Sequence, residues 1–110
     1  MATAYKVLGQ AAPTNTSNTT LYTVPSATSA VVSTISVTNT TTTSATGRIF
    51  IRVAGATAAT SNALVYDTLF AANSVTAITV GVTLATTDVI TVQTGTANAL
   101  TFQAFGSEIS

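Results

Sequence analysis

The chain of 110 residues contains no cysteine, no histidine and no tryptophan. Without cysteine there are no disulfides, no thiolate nucleophiles and no thiolate metal ligands. Without histidine there is no Ser-His-Asp or Cys-His arrangement, so the many hydroxyl groups lack an imidazole to activate them. We therefore expect a protein that is not an enzyme and that binds no cofactor or metal ion.

Charge is scarce as well, at 5% of residues, against about 25% in an ordinary globular domain. The six charged residues sum to zero, and they are Lys6, Arg48, Arg52, Asp67, Asp88 and Glu108. Three basic residues are too few to form the basic patch that a nucleic-acid-binding protein needs. A small soluble monomer usually keeps a net charge of about 2–8 to resist self-association. The composition therefore predicts no nucleic-acid partner and a chain that associates with other protein surfaces.

Long apolar segments are missing. Met1–Gln10 has no apolar stretch of the kind found in signal peptides. The other apolar runs are broken by Thr, Asn, Ser and Asp well before the ~20 residues of a membrane span. We expect neither a signal peptide nor a membrane partner.

Threonine fills about a quarter of the positions and, with Val and Ile, dominates the periodic segments. These β-branched residues favour strands. Eight strands are predicted at regular spacing: Thr3–Gln10, Thr20–Val24, Ala30–Thr38, Gly47–Val53, Leu64–Leu69, Val75–Val82, Asp88–Thr94 and Leu100–Phe105. The pattern predicts an all-β fold over residues 1–110, a single antiparallel β-sandwich of jelly-roll type.

Alternation predicts the faces of three strands. In the strand Ala30–Thr38, one face is predicted to carry Val31, Ile35 and Val37. In the strand Gly47–Val53, one face carries Ile49, Ile51 and Val53, and the other carries Arg48, Phe50 and Arg52. In the strand Leu100–Phe105, Leu100 and Phe102 share the face opposite Thr101 and Gln103.

Polar segments separate the predicted strands. Residues 11–19 are predicted as a polar arm or long loop, and residues 39–46 as a Thr-rich loop. Residues 85–88 are predicted as a turn in which Asp88 bonds nearby backbone amides, and Gly95 and Asn98 are expected to frame a final hairpin.

A pair of carboxylates for glycoside hydrolysis would have to come from the three acidic residues of the chain, Asp67, Asp88 and Glu108. All three lie near predicted strand or turn boundaries. We favour the interpretation that they are turn caps or solvated charges.

Arg48, Phe50 and Arg52 form the one sequence feature that resembles a binding patch, because arginine and aromatic residues are enriched at interfaces. One interpretation is a contact with another subunit, whose Asp67, Asp88 or Glu108 would pair with the arginines. The other is a solvated outer face with Phe50 packed beneath a neighbouring loop. The sequence leaves both open.

Strand edges give a further indication. Monomeric sandwiches usually protect their edges with Lys, Pro or inward charges, and here Lys6 is the only lysine. Neutral Thr/Val-rich edges left bare invite aggregation. We expect the edges and outer faces to be covered by copies of the chain or by a host particle.

Several segments resemble small virion proteins of tailed bacteriophages, marine and cyanobacterial phages among them. They are Tyr5–Gln10, Thr20–Pro25, Val31–Asn39, Ala72–Ser74, Gly81–Leu84, Asp88–Ile90 and Phe105–Ile109. The resemblance covers nearly the whole chain, in order.

The resemblance implies a virion structural protein, assembled in the host cytoplasm, that decorates and cements a phage capsid. Its partners would be copies of itself, as a homotrimer, and a major capsid or other virion protein. Alternatives are a receptor- or carbohydrate-binding module on a fibre or tail tip, and a subunit of a non-viral surface filament.

Overall fold

Nine β-strands are found in the computed structural model, which describes residues 2–79 and 81–110. They are β1 (Thr3–Ala11), β2 (Thr19–Thr23), β3 (Ser29–Asn39), β4 (Ala45–Arg52), β5 (Ala63–Phe70), β6 (Val75–Ile78), β7 (Val82–Leu84), β8 (Val89–Thr94) and β9 (Leu100–Ile109). Two short 3₁₀ turns, Val53–Gly55 and Thr60–Asn62, lie between β4 and β5. Among the described residues, no helix is long and apolar enough to cross a membrane.

The strands form two antiparallel sheets. The first sheet has the order β1-β9-β3-β6, with β7 also pairing with β3, and the second has the order β2-β8-β4-β5. The largest fully buried apolar side chains come from both sheets and from Val24, which directly follows β2. Those of the sheets are Phe102, Ile35, Ile49, Ile90, Leu100, Val32, Val37 and Val92. The prediction of an all-β antiparallel sandwich is confirmed.

The strand pairs are nested along the chain. β4 pairs with β5, β3 with both β6 and β7, β2 with β8, and β1 with β9. The chain therefore runs as one long antiparallel hairpin whose two arms are wrapped together into a sandwich. β8 and β9 lie in different sheets, so the final hairpin predicted around Gly95 and Asn98 is wrong.

The predicted strand Val75–Val82 is two strands, which is why the structure has nine rather than eight. β6 pairs with Ile35–Thr38 of β3, and β7 pairs with Ala30–Val32 of the same strand. Between these two halves β3 has a β-bulge, where its register with β9 shifts between Val32 and Thr34. Because a bulge bends its strand, one straight partner does not follow both halves. Val80, within the predicted strand, lies outside the described residues.

The same bulge changes which side chains of β3 face the core. Val32 is fully buried with Ile35 and Val37, whereas Val31 is half-buried on the outer side, so its predicted placement is wrong. Val53 is also misplaced, because β4 ends at Arg52 and Val53 is 67% exposed. The alternation of β9 is confirmed, with Leu100 and Phe102 buried.

The two polar loops are shorter than predicted. β1 extends to Ala11 and β2 begins at Thr19, and β3 extends to Asn39 while β4 begins at Ala45. The loop between β1 and β2 lies against the sandwich, since the Asn98 backbone N–H donates to the Pro13 carbonyl at 3.1 Å.

Candidate functional site

All six charged side chains have a partner within the chain. Lys6 Nζ lies 2.7 Å from Glu108 Oε1, and Arg48 Nε lies 2.6 Å from Asp67 Oδ1. Arg52 and Asp88 bond polar backbone groups instead. Asp67 of the same chain therefore supplies Arg48 with a carboxylate partner, and the interpretation of the patch as a contact with another subunit stays a prediction.

A β-bulge in β5 builds the surroundings of Arg48. Val65 pairs with Ile49 and Thr68 with Gly47, so two consecutive residues of β5, Tyr66 and Asp67, lie opposite Arg48 alone. Asp67 has a φ of 51°, in the left-handed region that Asp tolerates better than most residues. The bulge thereby brings an aromatic ring and a carboxylate to the same guanidinium.

The contacts of Arg48 are specific. Its Nε and Nη2 donate to the two carboxylate oxygens of Asp67 at 2.6 and 3.1 Å, a bidentate pair. Its Cζ lies 4.1 Å from the centroid of the Tyr66 ring. The hydrogen bond from Arg48 holds the pKa of the Asp67 carboxyl below its usual value. The pair presents a planar, neutralised surface on the outer side of the second sheet.

Phe50 lies on the same outer face and is nevertheless only 3% exposed. Its ring meets the Tyr66 ring edge to face, with centroids 6.3 Å apart and an interplanar angle of 80°. The loop between β4 and β5 lies beside it, because Ala58, Ala59 and Thr60 line the same cleft as Phe50. Phe50 is therefore a covered side chain, as the second interpretation of the patch expects.

Arg52 connects the loop between β4 and β5 to the second sheet through hydrogen bonds. Its Nε and Nη2 donate to the carbonyls of Ala56 and Gly55 at 2.6 and 2.9 Å, and its Nη1 donates to Thr91 Oγ1 at 3.1 Å. Arg48, Phe50 and Arg52 thus share one face as predicted, but both arginines are engaged by their own chain.

Asp88 is a buried turn cap, which confirms its predicted role. Its two carboxylate oxygens accept the backbone N–H groups of Ala54 and Ala85, each at 2.9 Å. Asp88 therefore joins the turn before β8 to the loop after β4. Among the described residues, the acidic side chains form no cluster of three or more that would hold a metal ion.

Glu108 occupies the inner side of the first sheet near its end. It accepts hydrogen bonds from Lys6 and from the hydroxyl of Tyr22, which is on β2 of the second sheet. These two bonds lower the pKa of the Glu108 carboxyl. Burial, and then the hydrogen bond to Glu108, raise the pKa of the Tyr22 hydroxyl. This polar contact links the two sheets across the rim of the sandwich.

The outer face of the first sheet differs from its inner side in carrying none of the charged side chains. Tyr5 and Val7 alternate with the inward Lys6 on the edge strand β1, and they are 86% and 48% exposed. In register with them on β9 lie Ser107 and Phe105, and Val31 of β3 pairs with Ser107. None of the six charged residues, all within the described part of the chain, points from this face. The face is built of apolar, hydroxyl and amide side chains.

Sequence reasoning did not select Tyr5 or Val7. The signal in the sequence is the alternation Tyr5-Lys6-Val7, which places the two apolar residues on the face of the strand opposite the lysine. Strand order decides that β1 is an edge, and strand order was not predicted.

Comparison of the chain with protein-family models, with curated proteins and with solved structures finds no significant match.

Proposed function

We propose that the chain is a structural subunit, a virion protein that decorates a phage capsid as a symmetric homo-oligomer, and that it assembles through the outer face of the first sheet. The observation that carries the proposal is the composition of this face, which exposes Tyr5 and Val7 and, within the described residues, holds no charged side chain.

The physical advantage of such a face is that no ion has to be desolvated when it is covered. Burying a charge costs several kcal/mol unless a partner compensates it. In a two-fold contact the same patch meets itself, and in any contact between copies every charge on the patch has to be accommodated. An uncharged face avoids both problems, so its apolar side chains contribute to association without an opposing electrostatic cost.

The proposal rests on the outer face of the first sheet and not on its edge. In the described part of the chain β1 pairs with β9 alone, but its inward Lys6 and the bulge between Val7 and Gly9 are features that protect an edge strand from pairing with another chain. The second sheet is less suited to association, because its arginines are already bonded within the chain. The proposed interface therefore differs from the Arg48, Phe50 and Arg52 patch that the sequence indicated.

The assignment to a virion rests on the resemblance to tailed-phage proteins and on the topology. With β6 and β7 counted together, each sheet has four strands and the strand pairs are nested, which supports the proposal that the sandwich is of jelly-roll type. Jelly rolls are frequent in viral capsid domains. Cryo-electron microscopy of the particles whose genome encodes the chain tests this assignment. We expect density for the sandwich on the head, and particles without the chain would overturn the assignment.

Sedimentation velocity tests the interface. The double variant Tyr5→Asp/Val7→Asp places two charges on the outer face of the first sheet, and we expect it to sediment as a monomer while the wild-type chain sediments as an oligomer. Leu69→Asp is the matched control, because Leu69 is 66% exposed on β5 of the second sheet. An oligomer that survives the double variant and dissociates in the control would refute the proposed interface.

A further inference from the structure

A cleft of about 630 Å³ opens on the outer face of the second sheet. It lies on the opposite side of the sandwich from the face proposed for assembly, so it stays accessible when that face is covered. Its floor and walls come from separate parts of the chain: Arg48, Phe50, Tyr66 and Gln93 on the sheet, the loop residues Thr16–Asn18, and the loop residues Ala58–Thr60.

Hydrogen bonds hold both walls of the cleft in place. Gln93 Nε2 donates to the carbonyl of Thr16 at 2.7 Å, which ties the first loop to β8. In the second loop, Asn62 accepts the backbone N–H of Ala59 at 3.1 Å and donates to the carbonyl of Thr57 at 3.0 Å. Together with the bonds from Arg52 to this loop, these contacts give a site that is formed before any ligand arrives.

The floor of the cleft is an aromatic surface without net charge. Tyr66 is 46% exposed, and its neighbour Arg48 is neutralised by the bidentate bond to Asp67. The β5 bulge, with Asp67 in the left-handed region, is what turns this group outward. Bulges are over-represented next to functional sites because they re-aim side chains in this way.

The other groups around the cleft are neutral hydrogen-bonding groups. Thr16, Ser17 and Thr60 carry hydroxyls, and Asn18 and Gln93 carry amides that both donate and accept. An anionic ligand would have to compete with Asp67 for Arg48, and a cationic ligand would meet the guanidinium. The chemistry therefore favours a neutral ligand with many hydroxyls and one apolar face.

We propose that this cleft binds a neutral sugar ring of a glycan. The C–H groups on one face of a pyranose carry a partial positive charge and are attracted to aromatic rings. Here they would pack against the exposed part of the Tyr66 ring, which is 46% exposed and also carries the Arg48 guanidinium 4.1 Å from its centroid. The hydroxyls of the sugar bond to the amide and hydroxyl groups of the walls. The cleft volume falls within the range of about 300–1,000 Å³ that is usual for small-ligand sites. This binding activity is additional to the structural role and does not depend on it.

Nuclear magnetic resonance titration of the full chain tests the proposal. The probes are the methyl glycosides of glucose, galactose, mannose and N-acetylglucosamine, with glycerol as a polyol without a ring and sialic acid as an anionic sugar. We expect saturable shifts of the Tyr66, Gln93 and Asn18 amides with at least one neutral glycoside, with affinity in the millimolar range, about 1–10 mM. Glycerol is expected to leave these amides unshifted.

Variants separate the cleft from the rest of the surface. Tyr66→Ala is expected to weaken binding about tenfold, the effect of losing one aromatic contact. Tyr66→Phe, which keeps the ring, retains binding, and so does Tyr5→Ala, which removes a tyrosine from the opposite sheet. If Tyr66→Ala does not fold, Gln93→Ala serves instead, with weaker binding expected.

Three results would overturn the proposal: no saturable shift with any neutral glycoside, shifts that persist unchanged in Tyr66→Ala, or tighter binding of sialic acid than of every neutral sugar. Because the cleft and the assembly face are tested by Tyr66 and Tyr5 variants respectively, failure of one proposal is distinguishable from failure of the other.

Discussion

At the scale of single residues, the charged side chains of this protein mainly form hydrogen bonds and ion pairs within the chain. Arg52 and Asp88 hold backbone groups of the loop after β4, while Lys6 and Glu108 close the rim between the sheets. Sequence reasoning identified Asp88 as a turn cap, because Asp at the end of a short polar segment commonly bonds backbone amides. It did not identify Ala54 as the second amide, since that contact joins positions 34 residues apart in sequence.

Replacing Asp88 by alanine removes the acceptor for two backbone N–H groups. Asp88 is buried, and leaving such donors without partners costs about 2 kcal/mol. We expect Asp88→Ala to lower the free energy of unfolding, measured by denaturant titration, by about this amount. Thr42→Ala, in the exposed loop between β3 and β4, is the control and is expected to leave stability unchanged. Equal stability of the two variants would contradict the role given to Asp88.

The contact of Glu108 with Lys6 and Tyr22 makes stability depend on pH. The pKa of Glu108 is lower in the folded chain than its ordinary value of 4.5, so its contribution is complete above that pH and is lost as pH falls through the folded pKa. Thermal unfolding of the wild-type chain and of Glu108→Gln measures this effect. We expect the difference between their melting temperatures to shrink from pH about 7 to pH about 3. A difference that stays constant would show that the carboxylate charge contributes nothing.

At the scale of elements, composition and alternation predicted where most strands lie, and β-bulges limited the prediction of their faces. The bulge in β3 reverses the phase of alternation, so Val32 rather than Val31 joins Ile35 in the core. The bulge in β5 places Tyr66 and Asp67 together beside Arg48. A bulge inserts one residue without a composition signal, so a period-2 pattern does not reveal it.

Two glycines stand where strands approach each other closely. A Cβ at Gly9 would lie 2.1 Å from the carbonyl oxygen of Leu21, and one at Gly106 would lie 2.0 Å from that of Val31. Both neighbours are backbone atoms, so the strands have to move apart to admit a methyl group. We expect Gly9→Ala and Gly106→Ala each to lower the unfolding free energy by about 1–3 kcal/mol.

Gly81→Ala is the matched control for these variants, because a Cβ there meets nothing within 4 Å. Its expected effect on chemical denaturation is within about 0.5 kcal/mol. If all three substitutions had the same small effect, the close approach of β1 to β2 and of β9 to β3 would not be as described.

At the scale of the whole molecule, the sequence indicated a chain of zero net charge with apolar surface to cover. Both sheets expose large apolar side chains, Tyr5, Val7 and Val75 on the first and Tyr66 and Leu69 on the second. The two outer faces differ in charge, because Arg48 and Asp67 lie on the second, whereas the charged residues of the first, Lys6 and Glu108, lie on its inner side. Which outer face is free of charge depends on strand order, and strand order depends on pairings such as β1 with β9 that join the two ends of the chain. Local patterns carry no information about such distant pairs.

An assembly formed through this face depends weakly on ionic strength. Salt screens interactions between charges, and the proposed contact contains none among the described residues. We expect the sedimentation coefficient of the oligomer to stay the same between low salt and molar sodium chloride. Dissociation into monomers as salt rises would argue for an electrostatic contact, such as one through Arg48 and Arg52.

Hydroxyl-radical footprinting of the chain, free at high dilution and assembled, tests the central claim most directly. Tyr5 and Tyr66 are both exposed, at 86% and 46%, and lie on opposite sheets, so each serves as the reference for the other. The account predicts that the oxidation rate of Tyr5 falls sharply on assembly while that of Tyr66 is unchanged. Protection of Tyr66 with undiminished oxidation of Tyr5 would contradict it.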